Sequence, residues 1–314
     1  MIEKNKKEGS SKLLAPLLVV IAASLWAVDG IVLRPSLYSL PVPLVVFIES
    51  AVVAILLTPF FIKRFSSLKQ LKKKDWLAFF GVALLGGAVG TMAITKALFY
   101  VNFINLSVVI LLQKLQPVFA ISLATIFLKE KLPKEFFLWA GLAILGAYFM
   151  TFGFSFPNFS TGDKTTIAAL FALLAAFSFS SSTVLSKRAL RNVDYEMGTY
   201  LRFLFATIIM LMIAGTTGDI SNISEITTKQ IIVFLIIAFT TGGAAIFLYY
   251  YGLKRISASV ASICELAFPL TAVVLEYLVH GNILSPVQWI GAAVLLISIL
   301  KVGGINIPSL INSK

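Results

Sequence analysis

One cysteine, Cys264, and one histidine, His280, are all that 314 residues offer of the side chains that build most metal centres and every disulfide. No disulfide framework, thiolate cluster or histidine-based metal site can be assembled from that inventory, so the sequence assigns no metal and no cofactor. Charge is scarce as well, at 13% of residues, and only 14 side chains are acidic. There is no Asp-x-x-x-Asp pattern and no large loop to hold a nucleophile with its base. A membrane-embedded lipid-modifying enzyme therefore finds little support, and the chain reads as a non-enzyme. No polar stretch is long enough to fold as a separate soluble domain.

What the chain has is apolar surface. Hydrophobic residues make up 59% of it, more than a soluble domain of this length can hide. Runs of about 18 to 25 apolar residues predict ten membrane helices. They fall at 13–34, 43–63, 76–100, 103–128, 134–153, 165–187, 195–215, 230–252, 257–279 and 285–302. The N-terminal tail, 1-MIEKNKKEGSSK-12, leads into a run too long for a signal-peptide core and without a clear cleavage site, which predicts a retained first helix. The last helix opens on 285-SPVQ-288, where Ser285 can cap, Pro286 fits the first helical position and Gln288 can close a capping box.

The net charge of +12 sits in short loops between these runs, which makes it a topology marker and argues against a nucleic-acid partner. With the N-terminus cytoplasmic, the inner segments hold Lys4 to Lys12, Lys63 to Lys74, Lys129 to Lys134, Lys187 to Arg191, Lys254 with Arg255, and Lys301 with Lys314. The outer segments hold only Arg34, Lys164 and Lys229. Both termini are thus expected inside a cell membrane that the chain crosses many times.

An internal repeat follows from Pro117 and Pro269, each set within a long apolar run. A shift of about 152 residues aligns them and brings Ser107 onto Ser259, Gln113 onto Glu265, and Gly86/Gly90 onto Ala238/Gly242. Nearer the start of each half, a shift of 153 pairs Trp26 with Phe179, Arg34 with Lys187, and Glu49 with Arg202. An odd number of helices per unit forces the second unit into the membrane upside down. That is an inverted repeat, the arrangement of many secondary transporters, and it suits alternating access to a site at the midplane. The expected organisation is a cytoplasmic tail 1–12, a first five-helix unit 13–153, an outer connection 154–164, a second unit 165–302 and a tail 303–314.

The two units resemble those of the drug/metabolite transporter superfamily, and the chain is similar to its EamA-type members. The segments 107-SVVILLQKLQPVFAISLATIFLKEKL-132 and 257-SASVASICELAFPLTAVVLEYLVHGNIL-284 carry the likeness, with a polar residue, a proline and then a Gly-Glu-Arg-Leu-like helix end. Lys129-Glu130-Lys131-Leu132 fits that end; Asn282 stands where the second unit should have an acid. The resemblance implies an exporter or exchanger of small metabolites, with a cavity lined by helices one, three, four, six, eight and nine.

Ionisable groups deep in a membrane helix cost a few kcal/mol, so each needs a reason. Lys114 and Glu265 lie near the midplane in repeat-related helices, and either they pair or they meet substrate. Gln113, Gln116 and Pro117 share one helical stripe, and Pro117 and Pro269 each release a backbone carbonyl or simply kink their helix. Trp26 is a candidate cavity wall. Asp29, Glu49 and Arg202 are candidates for gating or coupling, with Asp29 alternatively held by Arg34. Lys96, Glu276 and His280 read as interfacial. Tyr100, Tyr249, Tyr250 and Tyr251 fall near helix ends and are expected in the aromatic belt. Gly86, Gly90, Ala238 and Gly242 are expected to let helices three and eight approach closely.

The sequence-based expectation is a secondary transporter of a small polar metabolite. Lys114 facing Asp29, Glu49 and Glu265 favours a zwitterion such as an amino acid. A nucleotide sugar, a phosphate ester or a drug-like cation is the alternative. Proton coupling through Glu265 or Glu49 is open, as is a monomer against a homodimer.

Overall fold

A computed structural model of the protein describes residues 2–62, 68–69, 71–100, 109, 112–156, 165–280 and 285–304. Every regular element among them is a helix. Nine of these helices are long and apolar enough to cross a bilayer: Leu13–Leu37, Val42–Phe61, Lys73–Ala97, Lys134–Phe152, Thr166–Ala189, Tyr195–Thr217, Thr228–Arg255, Ala258–Leu275 and Pro286–Gly304. They are helices one, two, three and five to ten. Helix four is described as the shorter apolar segment Gln116–Leu128. The expected start of that helix at 103–108 lies outside the described residues, as do 154–164 in part and the tail beyond Gly304. The first helix begins at Ile2, so the charged N-terminal segment continues it as helix.

Local chemistry sets several starts. At helix eight the Thr227 hydroxyl accepts from the Gln230 amide, and the Gln230 side chain accepts from the Thr227 amide at 2.9 Å. Ser285 and Gln288 form the same reciprocal box at helix ten, as the sequence predicts. Such boxes satisfy donors that an apolar environment would otherwise leave bare.

Hydrogen bonds between loops sort the two ends of the bundle. At one end Asn192 donates to Asp75, Lys254 donates to Val193 and Asp194, and Glu130 accepts from Ala258 and Ser259. The loops that carry most of the basic residues therefore share a face, here called the basic end. At the opposite end Gln230 reaches Ser36 and Ser39, and Gln288 reaches Thr151.

The repeat is visible in how the helices break. Helix nine runs Ala258–Cys264, turns at 265–266, and resumes as Ala267–His280. Helix four has the same turn at 114–115, ahead of Gln116. In both, a tightened bond closes the turn: Leu115 N–H donates to Leu112 and Leu266 N–H to Ile263, each at 3.1 Å. Pro117 and Pro269 lie just beyond, where a missing N–H and the ring's bulk prevent a continuous helix.

Helices three and eight share a second irregularity, π-helical turns at Ala83–Val89 and Ala238–Gly242. Such turns recur at functional sites because they re-aim side chains and leave carbonyls free. The small residues here do not bring helices three and eight together, contrary to expectation. The Ala83–Val89 turn packs on helices six and seven, and the Ala238–Gly242 turn packs on helices one and two. Each half thus grips the other: a side chain at Gly86 would strike Ser182, and one at Gly90 would strike Phe179. Helices five and ten pair closely with each other, backbone against backbone at Gly146 and Gly291.

Candidate functional site

Glu265 sits on the turn that breaks helix nine, between the buried Cys264 and Leu266. Its carboxylate accepts from Gln116 Nε2 at 2.7 Å, from the Tyr249 hydroxyl at 2.6 Å and from Thr183 Oγ1 at 3.4 Å. Tyr249 and Thr183 are themselves linked at 2.9 Å. Trp26 closes the apolar side, its ring centroid 5.2 Å from that of Tyr249. Ser180 donates to the Gln116 backbone carbonyl at 2.7 Å, which ties helix six to the break in helix four. Five helices, numbers one, four, six, eight and nine, therefore meet at one polar centre. A half-buried carboxylate in such a place is tolerable because every donor around it is aimed at it.

Lys114 is not part of this centre's bonding. It is buried, with 7% exposure, and among the described residues it makes no ion pair or hydrogen bond, with Glu265 or any other group. Of the two alternatives the sequence leaves open, the Lys114–Glu265 pair is absent among the described residues, and Gln116 bonds Glu265 instead. Lys114 stands on the turn that breaks helix four, whereas Gln116 opens the segment beyond it and faces helix nine. Gln113 turns to helix six and donates to the Ala172 carbonyl at 2.9 Å.

Towards the opposite end lies a charged cluster. Helix one passes through a π turn, Asp29–Leu33, and a 3-10 turn, Arg34–Leu37, before it ends. This carries Arg34 inward, where Nε donates to Asp29 at 2.7 Å and Nη2 lies 3.2 Å from Glu49 Oε1. Thr241 of the helix-eight π turn donates to Asp29 at 3.4 Å. One cation thus serves two carboxylates, beside a small pocket lined by Tyr38, Val42 and Thr95 among others. Arg202 does not meet Glu49; it stands 5.8 Å from the Tyr250 ring centre and donates to that residue's hydroxyl at 3.4 Å.

The basic end is closed by helix-terminal charges. Glu130 accepts from the Ala258 and Ser259 amides at 2.7 and 3.1 Å, at the start of helix nine. Lys187 donates to the Leu253 and Lys254 carbonyls at 2.9 and 3.0 Å, at the end of helix eight. Each charge meets the helix pole of opposite sign. Asn282, the counterpart of Glu130 in the second unit, lies outside the described residues, as do the side chains of Glu276 and His280.

Several functional candidates escape the sequence. Tyr249 and Tyr250 are not belt residues; they are 3% and 0% exposed in the core. Thr183 and its neighbours could have been found. The stretch 178-SFSSSTVLS-186 places Ser180, Thr183 and Ser186 at steps of three on one face, and Ser186 meets the Tyr250 hydroxyl at 3.0 Å.

Comparison with known proteins places this arrangement. The EamA-like transporter family matches residues 13–152 and, again, 166–303. The chain is 48% identical over 291 residues to "Riboflavin transporter ImpX" of Fusobacterium nucleatum, covering 92% of this chain and 97% of that one. An "Uncharacterized transporter YwfM" of Bacillus subtilis is 28% identical over 186 residues, 59% of this chain and 60% of that one. A solved crystal structure superposes with a TM-score of 0.70 at 16% identity, over 92% of this chain and 96% of its own, which speaks for the fold alone. With two family matches that together span nearly the whole chain, the protein belongs to the EamA-like transporter family and is a multi-pass membrane protein.

Proposed function

We propose that this chain carries riboflavin, or a flavin closely similar to it, across the cell membrane by alternating access. Both termini and the basic end face the cytoplasm on this reading, as the bias of lysine and arginine requires. The observation that carries the substrate is the near full-length likeness to "Riboflavin transporter ImpX". The chemistry of the polar centre supports it. Riboflavin is uncharged, with a flat tricyclic ring, a hydrogen-bonding pyrimidine edge and a polyhydroxylated tail. Trp26, backed by the buried Tyr249, offers an aromatic face to the ring, while Gln116, Thr183 and Glu265 offer donors and acceptors to the edge or tail.

An amino acid suits the same centre less well. A zwitterion needs a free carboxylate opposite a free cation; Lys114 is unpaired among the described residues, but Arg34 occupies Asp29 and Glu49, and Glu265 is engaged by neutral donors. A phosphate ester would have Lys114 as its only buried unpaired cation among the described residues.

Binding is tested by flavin fluorescence on the purified protein. Riboflavin fluorescence is expected to be quenched on titration, and Trp26→Ala to weaken binding at least tenfold, or about 1.4 kcal/mol. Absence of quenching, with saturation by an amino acid in a competing thermal-shift screen, would replace this reading with the zwitterion one.

A further inference from the structure

The acids of the described interior fall into two groups. Asp29 and Glu49 are matched by Arg34, Glu130 by the amides at the start of helix nine, and Asp75 by the Lys72 amide and Asn192. Glu265 differs. Its three partners are an amide, a phenol and an alcohol, and among the described residues no Lys or Arg nitrogen lies within 4.0 Å of it. The nearby charged and titratable groups are otherwise engaged or unpaired. Arg202 of helix seven is on Tyr250, Lys114 precedes Gln116 and has no partner among the described residues, Cys264 adjoins Glu265 and is fully buried, and Asp29, one turn past Trp26, is on Arg34.

Resting on the transport reading above, we infer that Glu265 is the carboxyl through which substrate movement is coupled to protons. An ionised carboxylate only accepts hydrogen bonds, whereas a protonated one must also donate. Each partner of Glu265 can follow that change without moving its backbone. The Gln116 amide carries both NH2 and carbonyl and can flip, and the Tyr249 hydroxyl can turn to Thr183, 2.9 Å away. Gln116 is also its one hydrogen-bond partner from the first repeat among the described residues; Thr183 and Tyr249 belong to the second. Gain of a proton removes the charge from a contact that joins the two repeats, and alternating access must make and break such contacts. One proton is taken from water on one side and returned to water on the other, and no bond of the substrate changes.

Asp29 and Glu49 share one cation, so a proton gained by either leaves the other paired with Arg34, and that ion pair stays within the first repeat. Gain of a proton at Glu265 instead alters the hydrogen bond to Gln116, which links the two repeats.

Proteoliposomes with a trapped pH-sensitive dye and a riboflavin gradient provide the test. Wild-type flavin movement is expected to shift internal pH, and an imposed pH gradient to change flavin flux. In Glu265→Gln the number of protons moved per riboflavin exchanged should fall to none and the gradient response disappear. Exchange itself should be weakened because the residue lines the substrate centre, while Glu225→Gln, on an exposed loop, behaves as wild type. A gradient response that survives in folded Glu265→Gln, or wild-type flavin movement without proton movement, overturns the inference. If Glu265→Gln does not fold, Glu265→Asp takes its place, and an unaltered pH profile in it overturns the inference equally. Infrared difference spectra between acidic and alkaline buffer need no substrate. A carboxyl band that is present in the wild type and lost in Glu265→Gln supports the role even if riboflavin proves to be the wrong solute, and no such band sinks it.

Discussion

Arg34→Gln is expected to destabilise the protein by about 3 kcal/mol and to abolish transport. Asp29 and Glu49 would then face each other with no cation between them, in a region where their side chains are only 12% and 14% exposed. Removing one partner of a buried ion pair costs about 3–5 kcal/mol because the remaining charge stays desolvated. The lower figure applies here, since the Arg34 side chain keeps 26% of its surface and water can partly relieve the change. Thermal unfolding in detergent measures it. The triple variant Arg34→Gln, Asp29→Asn, Glu49→Gln should recover most of the loss, because no charge is then left unmatched. If Arg34→Gln alone unfolds at the wild-type temperature, the cluster does not hold helices one and two together.

Gly291→Leu should have the largest structural effect and leave little folded protein. A Cβ at Gly291 would lie 2.5 Å from the Met150 backbone nitrogen and 2.9 Å from the Gly146 carbonyl oxygen. Both are backbone atoms that cannot step aside, so the whole of helix ten would have to back away from helix five. Close approach through small residues is what holds apolar helices together in lipid, where there is no hydrophobic drive between them. Gly141 of helix five, where an added Cβ would meet nothing within 4 Å, is the internal control, and Gly141→Ala should be silent. Retained folded yield and melting temperature in Gly291→Leu, measured by fluorescence-detected gel filtration, would contradict the pairing.

The spans and the repeat are legible in the sequence because bilayer thickness fixes helix length and because two prolines mark equivalent places. The partners at the centre are not, and the causes are specific. Helix eight ends at Arg255, beyond the expected residue 252, so Tyr249 lies more than a turn inside a helix end. Helix one continues through π and 3-10 turns to Leu37, beyond the expected 34; the sequence offers the Asp29–Arg34 contact as an alternative, but not that the same turns bring Glu49 to Arg34 as well. Lys114 lies on the break in helix four and Gln116 just beyond it, and the periodicity of an unbroken helix does not say which faces helix nine. Hydropathy patterns report where a helix is apolar and do not report the extra residue that a π turn absorbs.

On the transport reading proposed above, riboflavin crosses the membrane through the centre built around Gln116, Glu265, Tyr249 and Trp26. A counterflow assay checks this: proteoliposomes loaded with unlabelled riboflavin are diluted into a trace of labelled riboflavin. Labelled flavin is predicted to accumulate transiently inside wild-type vesicles and to fail to do so with Trp26→Ala. Accumulation no greater than in protein-free vesicles, or equal accumulation by folded Trp26→Ala, would contradict it.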